Sequence, residues 1–180
     1  MKEEVAFGID LGTTFSCIAV YRNNRVEVIP NELGEKTTPS VVSFDKGKIL
    51  VGEEAVKQLI GNPKKTVYSI KRLMGKMYND KEVLEGINSN CWSFDIVEDQ
   101  NTQSAVIQIE EKKEKKIYYP QQISSYILDK LAQSAKKYLN LKDSRINAVI
   151  TVPAYFKDNQ RKATKLAAEL AKINVLRIIN

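Results

Sequence analysis

Apolar and polar positions alternate with different periods along this chain, and the changes of period divide it into three stretches. The first opens on Val5–Asp10, a short apolar run that ends on an acid, and continues with Phe15–Tyr21, a second strand-like run. Asn23-Asn24 makes a two-residue turn, and Arg25–Pro30 alternates polar and apolar residues as a half-buried third strand does. Three strands with such tight connections predict an antiparallel meander. The last stretch starts at Pro120, placed at a helix start. Within Gln122–Tyr138, Ile123, Ile127, Leu131 and Ala135 recur at four-residue spacing, an apolar stripe. Ala148–Val152 is a continuous apolar run, which predicts a strand covered on both faces, and Pro153 ends it. Asp158 or Asn159 caps a helix that runs through Ala171, and Val175–Ile179 predicts a further buried strand.

The middle stretch, from about Asn31 to Tyr119, is less regular. Pro39–Phe44 and Lys48–Val51 have strand character, while Glu53–Ile60 and Val67–Met77 have helical character, with Gly61-Asn62-Pro63 breaking between them. Trp92–Val97, Ala105–Ile109 and Lys116–Tyr119 predict another small set of strands. With this stretch set aside, the order is three strands, helix, strand, helix, strand. That is the ribonuclease-H-like order: an α/β fold with a mixed five-stranded sheet flanked by helices. The expected division is a core of residues 1–38 and 120–180, with an α+β insertion of about 39–119 after the third strand. Topology alone does not name a function.

Composition narrows the classes. A chain of 180 residues, 43% hydrophobic and 28% charged, suits one folded domain of middling size. Met1-Lys2-Glu3-Glu4 leads straight into Val5 with no apolar signal region, and no run is long enough to cross a bilayer. A cytoplasmic address and no membrane partner are expected, although a chain trimmed of a leader or retention signal reads the same way. Cys17 and Cys91 form no CxxC pair, and Cys17, in an apolar run, is expected to be a buried structural thiol. The absence of histidine removes Ser-His-Asp and Cys-His catalysis. The net charge of +6 does not imply nucleic acid as a partner, because basic residues are interleaved with acids. Glu110–Lys116 is such a run and predicts a solvated hairpin tip.

Candidate chemistry sits in Ile9-Asp10-Leu11-Gly12-Thr13-Thr14-Phe15-Ser16. A strand-end acid, a glycine turn and two hydroxyl residues follow one another. A turn free of bulky side chains lets backbone N–H groups approach an anion, and threonine hydroxyls add donors. Asp10 sits badly beside phosphates unless a cation stands between them, and Mg²⁺, which keeps most of its waters, suits that place. The plainer reading is an Asp-Leu-Gly turn between two strands.

Five ordered segments decide between these readings. Asp10-Leu11-Gly12-Thr13-Thr14 with Ser16 resembles the first phosphate loop of the seventy-kilodalton heat-shock (DnaK-type) chaperone family. Thr37-Thr38-Pro39-Ser40, Asn62-Pro63 with Lys71-Arg72-Leu73-Met74-Gly75, Val152-Pro153-Ala154-Tyr155-Phe156 with Asp158 and Gln160-Arg161, and Leu176–Asn180 resemble its later segments. The resemblance runs over nearly the whole chain and implies lobe I of an actin-like ATPase domain that binds ATP or ADP with Mg²⁺, K⁺ being a further candidate.

By the same resemblance Asp10 holds Mg²⁺ through water, and Gly12, Thr13 and Thr14 hold the β- and γ-phosphates. Lys71 and Asp10 are the implied catalytic pair, with Lys71 over the γ-phosphate. Phe15 stands beside the nucleotide where the family carries tyrosine, and so lacks a hydroxyl. Pro153, Asp158 and Arg161 are the implied relay of nucleotide state. Without the motif Lys71 is one lysine among many, Pro153 a strand end, Arg161 an exposed helix residue and Asp158 a helix cap. The implied partners are unfolded or extended polypeptides, J-domain co-chaperones and nucleotide-exchange factors.

The chain stops at Asn180, where the family continues with a glutamate, so a fragment without lobe II and the peptide-binding domain is expected. One open loop loses much hydrogen-bond strength to water, which predicts millimolar or weaker ATP affinity and no meaningful hydrolysis. The competing class is a stand-alone interaction module without ATPase activity. A two-metal nuclease needs more strand-end acids than Ala148–Val152 supplies, and a sugar kinase leaves Lys71 and Val152–Phe156 unexplained.

Overall fold

In the computed structural model, which describes residues 5–111, 114–141 and 145–180, alternation along the strands decides which face of the main sheet is buried. The chain enters through β1 (Ala6–Asp10), β2 (Phe15–Arg22) and β3 (Arg25–Val28), the expected meander. Asn23 and Asn24 both take positive φ, 51° and 60°, the conformation that a two-residue hairpin turn matched to strand twist requires. It brings Arg22 opposite Arg25. A two-residue strand, β4 (Thr38–Pro39), pairs with the start of β2 and adds a sixth strand to the five expected.

The middle stretch contains β5 (Val42–Asp45), β6 (Lys48–Val51), the one-turn helices α1 (Glu53–Val56) and α2 (Gln58–Gly61), β7 (Thr66–Val67), α3 (Lys81–Asn88), β8 (Asp95–Glu98), β9 (Ala105–Glu111) and β10 (Glu114–Tyr118). They form two three-stranded sheets, β6-β5-β7 and β10-β9-β8. The chain then runs through α4 (Pro120–Tyr138), β11 (Asn147–Thr151), α5 (Asp158–Leu170) and β12 (Asn174–Ile179). The main sheet has the order β12-β11-β1-β2-β3, parallel across β1, β11 and β12 and antiparallel from β1 to β3. That is the mixed sheet expected.

Its inward residues, Phe7 and Ile9 on β1, Ile18 and Val20 on β2, Ala148 and Ile150 on β11, are all at most 1% exposed. They share one core with Ile123, Ile127 and Leu128 of α4 and Ala167 and Ala168 of α5. Each large aliphatic side chain buried there contributes about 1.5–3 kcal/mol.

Several expectations need correction. Ala148–Val152 was expected to be covered on both faces, but the residues of β11 alternate, with Asn147, Val149 and Thr151 only half-buried. The described helices cover one face of the sheet, and the apolar run hides that asymmetry. Val175–Ile179 is not buried either: β12 is an edge strand among the described residues, with Leu176 and Ile179 exposed. Cys17 is half-buried on the open face, opposite Asp10, and burial together with the Asp10 charge raises its thiol pKa.

Asp158 is no cap but the first residue of α5. The preceding Lys157 N–H is satisfied by Gln160 Oε1 at 3.1 Å, a reach-back that Gln122 repeats on Tyr119 at 2.8 Å in α4. Pro39–Phe44 is broken at Ser40 into β4 and β5, and Glu53–Ile60 breaks at Lys57 into two single turns. The strand expected from Trp92 starts at Asp95, and the helix α3 lies where none was expected. Val67–Met77 is not helical: Ser69 (φ 53°) and Gly75 (φ 63°) take left-handed backbone on either side of one 3-10 turn, Ile70–Arg72. Strands β9 and β10 pair with Glu111 opposite Glu114, and the expected hairpin tip at 112–113 lies outside the described residues, as do positions 1–4 of the expected core.

Candidate functional site

The parallel pairing of β1 with β11 sets two strand ends side by side, and the candidate site is built there. Asp10, the last residue of β1, is exposed and accepts a hydrogen bond on Oδ1 from Thr151 Oγ1 at 3.0 Å. Thr151 ends β11, so the sheet register itself delivers the donor.

Beyond Asp10 the loop is held by a closed ring of hydrogen bonds. Gly12 N–H donates to Ser16 Oγ (3.1 Å), the Ser16 and Ser40 hydroxyls bond to each other (2.8 Å), and Ser40 Oγ donates back to Gly12 O (2.9 Å). Ser40 N–H also donates to Thr14 O at 2.8 Å. Ser16 and Ser40 are 2% and 1% exposed, so these bonds are shielded from competing water. Gly12 is obligatory: a Cβ there would stand 1.9 Å from Phe15 O. Gly12, Thr13 and Thr14 therefore sit in a fixed turn at the open end of the sheet.

Lys71, 60 residues away in sequence, reaches this turn. Its Nζ donates to Leu11 O at 2.6 Å and lies 5.7 Å from the centre of the Phe156 ring. Burial pushes its ammonium below the ordinary lysine value, and the nearby Asp10 carboxylate pulls the other way. The segment carrying Lys71 is fastened to α5. Asn159 Nδ2 donates to Gly75 O at 2.6 Å, and a Cβ on Gly75 would meet Asn159 O at 2.8 Å. From the other side Met74 is buried and accepts from Ser124 Oγ at 3.4 Å.

Asp10, Thr13 and Lys71 thus come together, with Thr13 and Lys71 lining one cleft of about 540 Å³. Thr14 and Phe15 face a neighbouring crevice of about 480 Å³ with Pro39 and Val41, and Phe15 is 52% exposed. Pro153, Asp158 and Arg161 line neither opening. The Pro153 carbonyl accepts from Phe156 N–H at 3.0 Å. Arg161 is not the freely exposed residue of the plainer reading: it bonds Phe156 O (3.1 Å) and Asn180 Oδ1 (2.5 Å). Asp158 is exposed and makes no capping bond.

Residue reading missed Ser40, Phe156, Gly75 and Asn159 as parts of the site. Ser40 and Phe156 lie within segments already singled out, and a hydroxyl entering an apolar strand was the available signal. Asn159 reads only as a possible cap, and nothing local marks its bond to Gly75.

A magnesium ion fits this donor set in one way. The described residues hold no group of three or more acidic, cysteine or histidine ligands that could cage a metal. Asp10 offers a single exposed carboxylate, which suits an ion held through water and by a ligand's phosphates.

The sheet order, with helices on one face and a glycine turn at the ends of parallel strands, defines an actin-like ATPase fold. The family model described as Hsp70 protein matches residues 6–180. A curated relative, heat shock cognate 70 kDa protein 3 of Dictyostelium discoideum, is 45% identical over 175 residues, 97% of this chain and 27% of the relative. The chain belongs to the Hsp70 family. It spans about a quarter of the length of that relative.

Proposed function

We propose that this chain is lobe I of the nucleotide-binding domain of an ATP-dependent chaperone, and that nucleotide phosphates seat on the Gly12–Thr14 turn. The carrying observation is the bond from Lys71 Nζ to Leu11 O, which fixes a cation on the turn beside Asp10. Backbone amides and threonine hydroxyls at Gly12, Thr13 and Thr14 would bind the β- and γ-phosphates, and Lys71 would offset charge on the transferring group. Asp10, held by Thr151, would fix waters of a magnesium ion, whose contribution is to neutralise phosphate charge. Phe15 would flank the nucleotide by apolar contact alone.

In the parent protein, ATP hydrolysis would be coupled to binding and release of unfolded polypeptide, with J-domain co-chaperones and nucleotide-exchange factors as partners, in the cytoplasm. No described helix is long and apolar enough to cross a membrane. Pro153, Asp158 and Arg161 would relay nucleotide state, and the support is that Arg161 bonds Phe156 O while the Phe156 ring flanks Lys71. The isolated lobe, open to water, would bind weakly and hydrolyse nothing measurable.

Titrating the isotope-labelled chain with Mg-ATP tests this. The expected result is fast-exchange shifts at the Gly12, Thr13 and Thr14 amides with a millimolar dissociation constant. Unmoved amides overturn the seat, and micromolar binding overturns the weak-lobe reading.

A further inference from the structure

Lys71 reaches the turn from a segment that apolar burial alone does not aim. Ile70, Leu73 and Met74 are at most 2% exposed, and their burial fixes how deep the segment lies. Burial is non-directional, however, and does not set how the segment is turned. Directional contacts do that, and two of them come from the stretch where α5 begins. The Phe156 ring flanks Lys71 Nζ, and Asn159 Nδ2 donates to Gly75 O at 2.6 Å, four residues beyond Lys71. No backbone N–H among the described residues reaches Gly75 O. The Asn159 amide also fits only one way round. Its Oδ1 accepts from Gln160 N–H at 3.1 Å, and a flipped amide would set oxygen against the Gly75 carbonyl and NH₂ against that N–H. The two backbones are in contact as well, since a Cβ on Gly75 would lie 2.9 Å from Gln160 Cα.

We infer that Asn159 is a positioning residue for Lys71: its amide locks the Ser69–Gly75 segment to α5 and so holds Lys71 Nζ at Leu11 O, beside the Phe156 ring. Asn159 lines neither opening at the turn and acts through the Gly75 backbone. What Lys71 does to phosphate rests on the reading of the turn as an ATP site. The lock does not depend on that reading.

Asn159 is exposed, so replacing it leaves the core closed. The experiment follows Lys71 by NMR of the nucleotide-free chain carrying ¹³C-labelled lysine. Hydrogen exchange is read at the Leu73 and Lys76 N–H groups, which bond Ile70 O and Leu73 O within the segment. Asn159→Ala should displace the Lys71 Cε and Hε signals as the Phe156 ring current changes. It should also move the ammonium pKa up toward the ordinary lysine value as burial loosens. Exchange should quicken about two- to tenfold, the scale of one exposed hydrogen bond. Asn159→Asp separates positioning from support of the helix. A carboxylate in the first turn favours α5 but offers Gly75 O no donor, so the urea midpoint should hold while Lys71 moves as in Asn159→Ala. Lys162→Ala, exposed on the same helix, should leave Lys71 in place. Lys71 unmoved by either Asn159 variant, or moved as far by Lys162→Ala, overturns the inference whatever Mg-ATP does at Gly12–Thr14. Amides at Gly12–Thr14 that ignore Mg-ATP, with Lys71 displaced in both Asn159 variants, remove the ATP reading and leave the lock standing.

Discussion

Two segments meet at the candidate site, and they are held in opposite ways. The Asp10–Ser16 loop is closed by a hydrogen-bond ring among Gly12, Ser16 and Ser40, with a glycine at the one position where a side chain cannot fit. The Ser69–Gly75 segment has no such internal ring. Its left-handed turns at Ser69 and Gly75 persist because Ser124, Asn159 and Leu11, each at least 50 residues away, hold Met74, Gly75 and Lys71. The first segment is shaped mainly by its own residues and one strand beside it. The second is shaped by its surroundings, so anything that disturbs α5 is expected to move Lys71 while leaving the loop in place.

The most damaging way to test that difference is Gly12→Ala. The new methyl must displace Phe15 O and open the ring, at a cost of about 2–4 kcal/mol in urea unfolding, with loss of Mg-ATP shifts at Thr13 and Thr14. An unfolding midpoint equal to the parent's would show that the loop is not locked as described. Gly75→Ala should cost about 1–3 kcal/mol, since it combines a left-handed φ with a clash on Asn159. Here the loop amides should keep their shifts while the Lys71 resonances move, and coordinated movement of both would erase the distinction. Ser40→Ala breaks one buried and one partly buried bond for about 1–2 kcal/mol, with effects confined to Gly12–Ser16.

The contrast also explains how far residues alone could be read. The meander, the Asn23-Asn24 turn, α4 and the loop depend on contacts between near neighbours or on plain periodicity, and each is where the pattern placed it. Val67–Met77 is misleading because Val67 pairs with β5 as a strand residue while Ile70 sits in a 3-10 turn, so the apolar spacing only mimics that of a helix. Lys71 was identified by motif and not by its environment, and Asn159, read only as a possible cap, carried no signal of its bond to a backbone carbonyl 84 residues away. Coverage of the sheet was misjudged for a related reason: an apolar strand shows that burial is favourable but not which element supplies it.

The smallest expected effect concerns Lys71 itself. Its folded pKa lies below the ordinary lysine value, so between the two the unfolded chain holds more protons. Stability should therefore fall as pH drops from the lysine range toward the folded pKa, and level off below it. Lys71→Met should remove that component. Urea midpoints of parent and variant that run parallel across alkaline pH would show that burial of the ammonium carries no cost.

The two borders of the main sheet differ in how they meet other molecules. Strand β3 is four residues long and carries Arg25 and Glu27, tied with Arg22 into a charged border that resists further pairing. Strand β12 presents Leu176 and Ile179 beside a row of backbone donors and acceptors, broken only by Arg177. A concentrated solution of this chain should therefore be colloidally fragile along one border only, and Leu176→Lys should raise its solubility limit without touching the Gly12–Thr14 turn.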